Sequence, residues 1–533
     1  MSNTEQKIAP SGSQSNISRS LKDTLSQRQS KELVIALAGP LGCGIKQVKR
    51  LLTDELKSAG YEVVDLRLSN LMKMAVNEHE KLKTLKGYLP ADGHNNFERI
   101  SKLQFLGNKL RSHSSNDVAS QLAVQEIALW RKKHPQRSEP DKIAVTHNTA
   151  FIIDQLKHPD EAKLLKLIYG KIFYQLGILS AEEEKLSRLK NNGISRSDAV
   201  KLIEDDRNQE YKHGQKLEKT LSFSDYFLSN TSKNLPSIKS NINRFLCLAH
   251  GVNGITPSKD EVGMYTAYST SLRSACLSRQ VGAAICDDDG NILAVGRNDV
   301  PKFSGGLYTI EDGANDHRCI NHGAKCHNTE KINQLKEKIR VILVKDGKVE
   351  EQLSHTLMKN IAENTPLGSL IEYSRAIHAE MDAITTLARS VQSSSKGTAI
   401  YTTTFPCHNC ARHIVAAGIK RVVYIEPYAK SLAIDLHSDS ICVEEQSSDK
   451  LSISSFEGVA PTRYQSFFLA KGKRKNDSDG EAITSTLIDS EHIDSVLVAK
   501  YTDTERKVTE ILSESLKSNN NHIDMMSKKD EQS

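Results

Sequence analysis

Apolar and polar positions fall in blocks along this chain, and the blocks change character several times. Residues 1–30 are rich in Ser, Gln, Asn and Lys with few apolar positions, the pattern of a disordered arm. The run Glu32-Leu33-Val34-Ile35-Ala36-Leu37-Ala38 then reads as a buried strand. It leads straight into Gly39-Pro40-Leu41-Gly42-Cys43-Gly44-Ile45-Lys46, after which Val48, Leu51, Leu52 and Leu56 recur at helical spacing. Further strands are predicted at Tyr61–Val64, Phe151–Asp154, Lys171–Leu176 and Asp225–Asn230, separated by helical stretches. Strands alternating with helices predict an α/β domain with a parallel sheet over 31–235.

The pattern resumes differently after that. Asn243–His250 reads as a connecting helix ending at Gly251, and Thr256 is predicted to cap a new helix with Pro257 at its first position. Gln280–Cys286 and Ile292–Gly296 flank the turn Asp289-Gly290-Asn291, a hairpin signal. A helix from about His378, a strand at Ala399–Thr404, a helix from Pro406 and a strand at Arg421–Ile425 complete an α/β sandwich over 236–470. Residues 301–374 interrupt it as a long insertion. The remaining 471–533 open with the basic run Lys471–Lys475, readable as a nucleic-acid contact or a solvated linker. In this polar tail Val508, Ile511, Leu512 and Leu516 predict a short amphipathic helix that packs on the body or on a partner.

Composition narrows the class. At 533 residues, 38% hydrophobic and 26% charged, the chain has room for two or three domains of ordinary globular character. A net charge of +6 over that length is too mild to mark a nucleic-acid binder by itself. Nine cysteines, an odd number without framework spacing, predict a reducing, cytoplasmic setting. No apolar run approaches the length of a membrane span, so a membrane partner is not expected.

Chemistry concentrates in two short segments, His378-Ala379-Glu380 and Pro406-Cys407-His408-Asn409-Cys410. The pattern H-x-E…P-C-x-x-C is the signature of zinc-dependent nucleobase deamination. His378, Cys407 and Cys410 supply three zinc ligands, which leaves one tetrahedral position open for water, as in catalytic rather than structural sites. Glu380, not needed as a ligand, is the candidate acid/base. Pro406 suits the first turn of a helix, and a helix start lowers thiol pKa and so favours thiolate ligands. The competing reading is a closed structural site with His408 or His413 as fourth ligand, but neither Glu380 nor Pro406 would then be required. A second group, His317, Cys319, His322, Cys326 and His327, falls within the insertion and suggests either a structural zinc or a polar loop.

Strand, glycine-rich turn and helix in the first domain give the context of a phosphate-binding loop, with Gly39, Gly42, Gly44 and Lys46 as candidate nucleotide contacts. The loop is degenerate: Ile45 stands where a Lys is wanted and Lys46 where a Ser or Thr would hold magnesium. Binding without phosphoryl transfer, or a glycine turn that is only architecture, are the open readings. Lys157, Arg188 and Arg207 are further candidates for phosphate contact.

The stretch Arg273–Ala284, the two zinc segments and Tyr424-Ile425-Glu426-Pro427-Tyr428 together resemble the deoxycytidylate deaminases. With the glycine-loop domain in front, residues from about 31 to 470 resemble the two-domain bacterial anti-phage dCTP deaminases. That resemblance implies a P-loop kinase-like domain followed by a cytidine-deaminase-like one. It also implies Zn2+ as cofactor and deamination of dCTP, with dCMP as second candidate, to the uracil nucleotide. A small RNA antitoxin is an implied partner, and a homo-oligomer is expected. By the same resemblance Asn298 should bond the nucleotide sugar and Tyr428 should line the base pocket. A polynucleotide deaminase shares the zinc motif, but no basic groove interleaved with aromatics is present to stack successive bases. A non-enzymatic nucleotide sensor is disfavoured by the intact Glu380.

Overall fold

A computed structural model describes residues 30–134, 148–207, 213–230, 235–345, 349–365, 367, 370–390, 394–428, 431–443, 449–470, 472–484, 486–488 and 498–517. The arm expected at 1–30, apart from Ser30, lies outside the described residues, as does Lys471 of the basic run.

The front unit is built from β1 (Glu32–Ala38), α1 (Ile45–Ser58), β2 (Glu62–Arg67), α2 (Val118–Lys133), β3 (Thr149–Leu156), α3 (Pro159–Tyr169), β4 (Phe173–Leu179), α4 (Glu182–Asn191), α5 (Arg196–Arg207) and β5 (Tyr226–Ser229). These five strands pair in parallel in the order β5-β4-β1-β3-β2. Every residue of β1 is buried, because helices cover both faces of the sheet. Leu33, Ile35 and Leu37 point to one face, against Val48, Leu52 and Leu56 of α1. Val34, Ala36 and Ala38 point to the other, against Ala123 and Ile127 of α2 and Leu165 of α3.

The rear unit follows with α6 (Leu235–Ala249), α7 (Lys259–Ser271), β6 (Gly282–Cys286), β7 (Ile292–Arg297), α8 (His327–Lys345), α9 (Glu351–Asn364), α10 (Ala379–Arg389), β8 (Ala399–Thr404), α11 (His408–Ala416), β9 (Arg421–Glu426), β10 (Ile441–Val443) and β11 (Leu451–Ser455). Its sheet runs β10-β11-β9-β8-β6-β7, parallel from β10 through β8 and antiparallel at β6 and β7. Helices α10 and α11 pack on one face through Ala383, Leu387 and Ile414 against Ile285, Ile400 and Val422. Met264 and Ala267 of α7 cover the other face with Ala284, Tyr401 and Val423. The fold is thus α/β, with two sheets dominated by parallel strands.

Three local outcomes differ from the sequence reading. Helix α7 is capped by Ser258 rather than Thr256: the Ser258 side chain accepts from the Glu261 N–H at 3.2 Å while the Glu261 carboxylate accepts from the Ser258 N–H at 2.7 Å. That reciprocal pair satisfies two helix-end donors, which Thr256 and Pro257 do not. Helix α11 begins at His408 with Cys407 as its cap, so Pro406 precedes the helix. The insertion also carries two contacting helices, α8 and α9, which the sequence reading did not mark.

The two units are not joined end to end. After the rear sheet is complete the chain returns to the front one, where β12 (Gly458–Val459) pairs antiparallel with Phe227 and Tyr226 of β5. The N–H of Val459 donates to Glu261 at 2.8 Å, and Glu261 is held by Arg244 at 2.7 Å. Phe227 packs with Met264 and Phe456 in one buried cluster shared by both units. Farther on, α12 (Val498–Lys517) docks on the front unit. Its Leu512 and Leu516 are buried against Val76 and Leu110, while Ile511 faces solvent. Tyr501 of α12 bonds Ser30 at 2.7 Å and Glu32 at 2.9 Å, and Arg131 bridges Glu32 and Glu505.

Candidate active site

Two helix starts build the site. His378 caps α10 and Cys407 caps α11, so both residues have extended backbone and project where helix N–H groups converge. The Cys407 sulfur accepts from the Cys410 N–H at 3.4 Å, which fixes the Cys-x-x-Cys turn. His378 and Glu380 straddle the start of α10 rather than sharing a helical face, so a spacing of two brings both to one place. Close approach of α10 to the sheet depends on Gly296 of β7: a Cβ there would lie 2.2 Å from the Ala379 carbonyl oxygen.

The Nδ1 of His378 lies 3.4 Å from the Cys407 sulfur and 3.3 Å from that of Cys410. With ligands at about 2.3 and 2.1 Å on a tetrahedron, the sulfur–nitrogen edge is roughly 3.6 Å. These three donor atoms lie within 4.8 Å of one another and form the only such triad found among the described residues. The electrostatics suit a cation. Cys407 is pushed down to about 4 by the hydrogen bond from Cys410, then by His378. Cys410 is raised, by that same bond and by burial. A divalent ion would bind both sulfurs as thiolates and displace the proton they share. The donor set and spacing fit Zn2+.

Glu380 sits beside the triad, 4% exposed, with its Oε2 3.4 Å from the Cys410 sulfur. Burial raises its pKa above the usual carboxylate value, the direction that suits a group exchanging protons with a substrate. All of this opens on a cavity of about 220 Å³, lined by Arg279, Asn298, Phe405 and Tyr428 as well as His378 and Glu380.

Asn298 and Tyr428 both line this cavity. The Asn298 side chain is engaged within the protein: its Oδ1 accepts from the Val281 N–H and its Nδ2 donates to the Arg279 carbonyl, each at 2.7 Å. It thereby pins the segment that forms one wall.

The glycine loop does not line this cavity. Gly44 caps α1 with φ of 77°, and a Cβ there would lie 2.2 Å from the Asn230 amide nitrogen, so glycine is required. Gly39 is buried, Gly42 has φ of 82°, and Lys46 is exposed on the first turn of α1. The loop is tied to its own protein. The Leu41 N–H donates to the Asp206 carboxylate at 2.8 Å, the same oxygen that pairs with Lys157 at 2.7 Å. Arg188 donates to the Gly42 carbonyl at 3.1 Å. Lys157 and Arg188 are thus committed to internal partners, and Arg207 lies within 4 Å of Glu182 and Glu218. Asp206 has no sequence signature and was found only in three dimensions. A smaller cavity of about 110 Å³ lies between the units, lined by Pro40 and Arg207 on one side and Tyr424 and Pro427 on the other.

The five His and Cys residues of the insertion do not assemble a ligand set within the 4.8 Å that the His378 triad meets. Asp316 organises this stretch instead, accepting from Arg318 and from Asn321 at 2.6 and 2.7 Å. Cys319, Cys326 and His327 line the main cavity, together with Cys276, Ser278 and Arg375, which sequence reasoning did not single out.

Fold and site define a zinc-binding deaminase. Residues 257–426 match the model of the cytidine and deoxycytidylate deaminase zinc-binding region. The deoxycytidylate deaminase of Enterobacteria phage T4 is 31% identical over 169 residues, which are 31% of this chain and 76% of that protein. That of Enterobacteria phage T2 is 32% identical over 167 residues, 31% of this chain and 78% of its own. The chain belongs to the deoxycytidylate deaminase family. Among solved structures, the dCMP deaminase of cyanophage S-TIM5 in complex with dCMP and dUMP covers 38% of this chain and all of its own, at 20% identity and a TM-score of 0.21.

Proposed function

We propose that this protein hydrolyses the exocyclic amine of free deoxycytidine nucleotides, dCTP and dCMP, to give the deoxyuridine nucleotide and ammonia. The observation that carries the reading is the triad His378, Cys407 and Cys410 with the buried Glu380 against it, in one cavity. Zinc, when bound by the triad, supplies Lewis acidity and lowers the pKa of a coordinated water to about 7.

The chain's own groups do the rest. The raised pKa of Glu380 suits it to carry both protons of the attacking water: the first to ring N3, and the second from the new C4 hydroxyl to the amine as its bond to C4 breaks and the carbonyl forms. Tyr428 and Phe405 offer ring faces for the base, and Asn298 holds the 279–281 wall and faces the sugar. The His378 imidazole and both sulfurs are held by helix starts and need no rearrangement.

The front unit is read as P-loop kinase-like and regulatory. The parallel order β5-β4-β1-β3-β2 puts the glycine loop after β1, where the chain order reverses and ligands of such sheets bind. A loop without its Lys and hydroxyl, and with Asp206 already on the Leu41 N–H, suits sensing or restraint rather than phosphoryl transfer. In the cell this enzyme would drain dCTP during phage infection, in the cytoplasm, as a homo-oligomer, restrained beforehand by a small RNA antitoxin. The two-unit chain and its resemblance to anti-phage deaminases support that role.

The test is to incubate the purified protein with dCMP, dCTP, CTP and short single-stranded oligonucleotides and resolve the products chromatographically. Uracil product is expected from the free deoxynucleotides. Efficient conversion of an oligonucleotide instead would replace this reading with a polynucleotide-editing one.

A further inference from the structure

Among the described residues, Arg375 is a cation without an ion-pair partner in the wall of the His378 cavity. It lies three residues before the zinc ligand His378, on a segment fixed by the Ile377 N–H bonding the Asp299 carbonyl at 3.0 Å. Its Nη1 is enclosed and has no hydrogen-bond partner, and among the described residues Arg375 makes no ion pair. The other arginine lining the cavity, Arg279, is paired with Glu426, and Arg318 of the insertion with Asp316. Among the described residues the only carboxylate lining the cavity is Glu380, which lies against Cys410.

A second orphan faces the same space. His327, the first residue of α8, lines the cavity with its Nε2 enclosed and unpartnered, while its Nδ1 side lies 3.8 Å from Glu330. The two orphans are carried on segments that are pinned together. Asn328 donates to the Leu370 carbonyl at 2.7 Å and accepts from the Tyr373 N–H at 3.2 Å. The insertion helix is thereby locked to the stretch that bears Arg375.

An enclosed polar nitrogen left without a partner is destabilising, more so when it is charged, so two in one cavity need an account. An anion arriving with the ligand supplies it. A guanidinium presents a planar fork that matches phosphate oxygens, and an imidazole N–H adds one further donor. We propose that Arg375 and His327 form the seat of the substrate's 5′-phosphate, so that the insertion helix and the stretch leading into His378 together select nucleotides over nucleosides. This rests on the reading of the cavity as a deoxycytidine nucleotide site.

The test separates the two readings. Titrate dUMP and deoxyuridine calorimetrically into the zinc-loaded full chain, as wild type, Arg375→Gln, Arg375→Lys and His327→Gln, with zinc content as the check on folding. Wild type should bind dUMP about 10- to 150-fold more tightly than deoxyuridine, the range of a hydrogen bond to a charged group. Arg375→Gln should lose most of that gap while keeping its deoxyuridine affinity. Arg375→Lys should recover part of it, and His327→Gln should narrow it. No gap in wild type, a gap preserved in Arg375→Gln, or equal weakening of both ligands overturns the assignment. Should Arg375→Gln lose its zinc, an unchanged gap in His327→Gln overturns it equally. Failure of wild type to deaminate dCMP or dCTP would instead sink the proposed function, whatever the phosphate gap.

Discussion

At the scale of single residues, the proposed mechanism separates holding a metal from moving protons. Cys407 and Cys410 hold; Glu380 lies against Cys410 without completing the triad. Cys407→Ala should therefore lose zinc and activity together. Glu380→Gln should keep zinc and fold yet lose deamination by about 10²–10⁴-fold, the span of a general acid–base contribution. Elemental analysis beside a rate assay reads both, and full zinc in Cys407→Ala or near-normal turnover in Glu380→Gln would contradict the division. The meeting of His378, Glu380, Cys407 and Cys410 was legible in the sequence, because ligand chemistry demands fixed residue types at fixed spacing. Arg375 and Asp206 were not legible, since a single Arg or Asp carries no pattern until the fold closes around it.

At the scale of elements, strands and helices with a strong apolar period were readable, and caps were not. Ser258 displaced Thr256 because a reciprocal bond with Glu261 decides the start of α7. The start of α3 is a further case, capped by a histidine. His158 accepts from the Asp160 N–H at 3.2 Å, while Glu161 accepts from the His158 N–H at 3.1 Å and pairs with the buried Arg111 at 3.0 Å. Burial, and then the positive Arg111, lower the His158 pKa to about 4, with Asp160 opposing and Lys216 and Lys163 adding to the shift. As pH falls below the ordinary value of about 6.5, the unfolded chain takes up this proton first. The stabilisation is complete above that value and is lost as pH falls toward 4. Between pH 7.5 and 5 the loss should be about 2 kcal/mol. His158→Asn retains a capping side chain without the titration. Urea midpoints at the two pH values should fall less in that variant, and an equal fall in both proteins would rule His158 out as the cause.

For the whole molecule, the sequence divides into two α/β stretches, and the structure stitches them together. Nothing in the periodicity marks Gly458–Val459 as an edge strand of the front sheet, because two residues are too short to carry a pattern. Nor does it say that Tyr501 and Glu505 would reach back to Ser30, Glu32 and Arg131. Phe227 and Met264 share a core across the units, so unfolding one exposes apolar surface of the other. The single tryptophan, Trp130, packs edge-on to Phe151 in the front unit and reports it alone, while zinc release reports the rear. In a urea titration the two signals should change together, as one cooperative transition. Midpoints well apart would show two independent domains.

The strand β12 also has a consequence for how the protein is made. Every residue of the zinc site, and the whole rear sheet through Ser455, is translated before the two residues that cover the β5 edge. At about 5–20 residues per second a nascent chain spends many seconds with that edge bare. An uncovered strand edge invites pairing with another chain. A ribosome that stops within the rear unit therefore releases a product inclined to aggregate, not a free front unit able to act on its own.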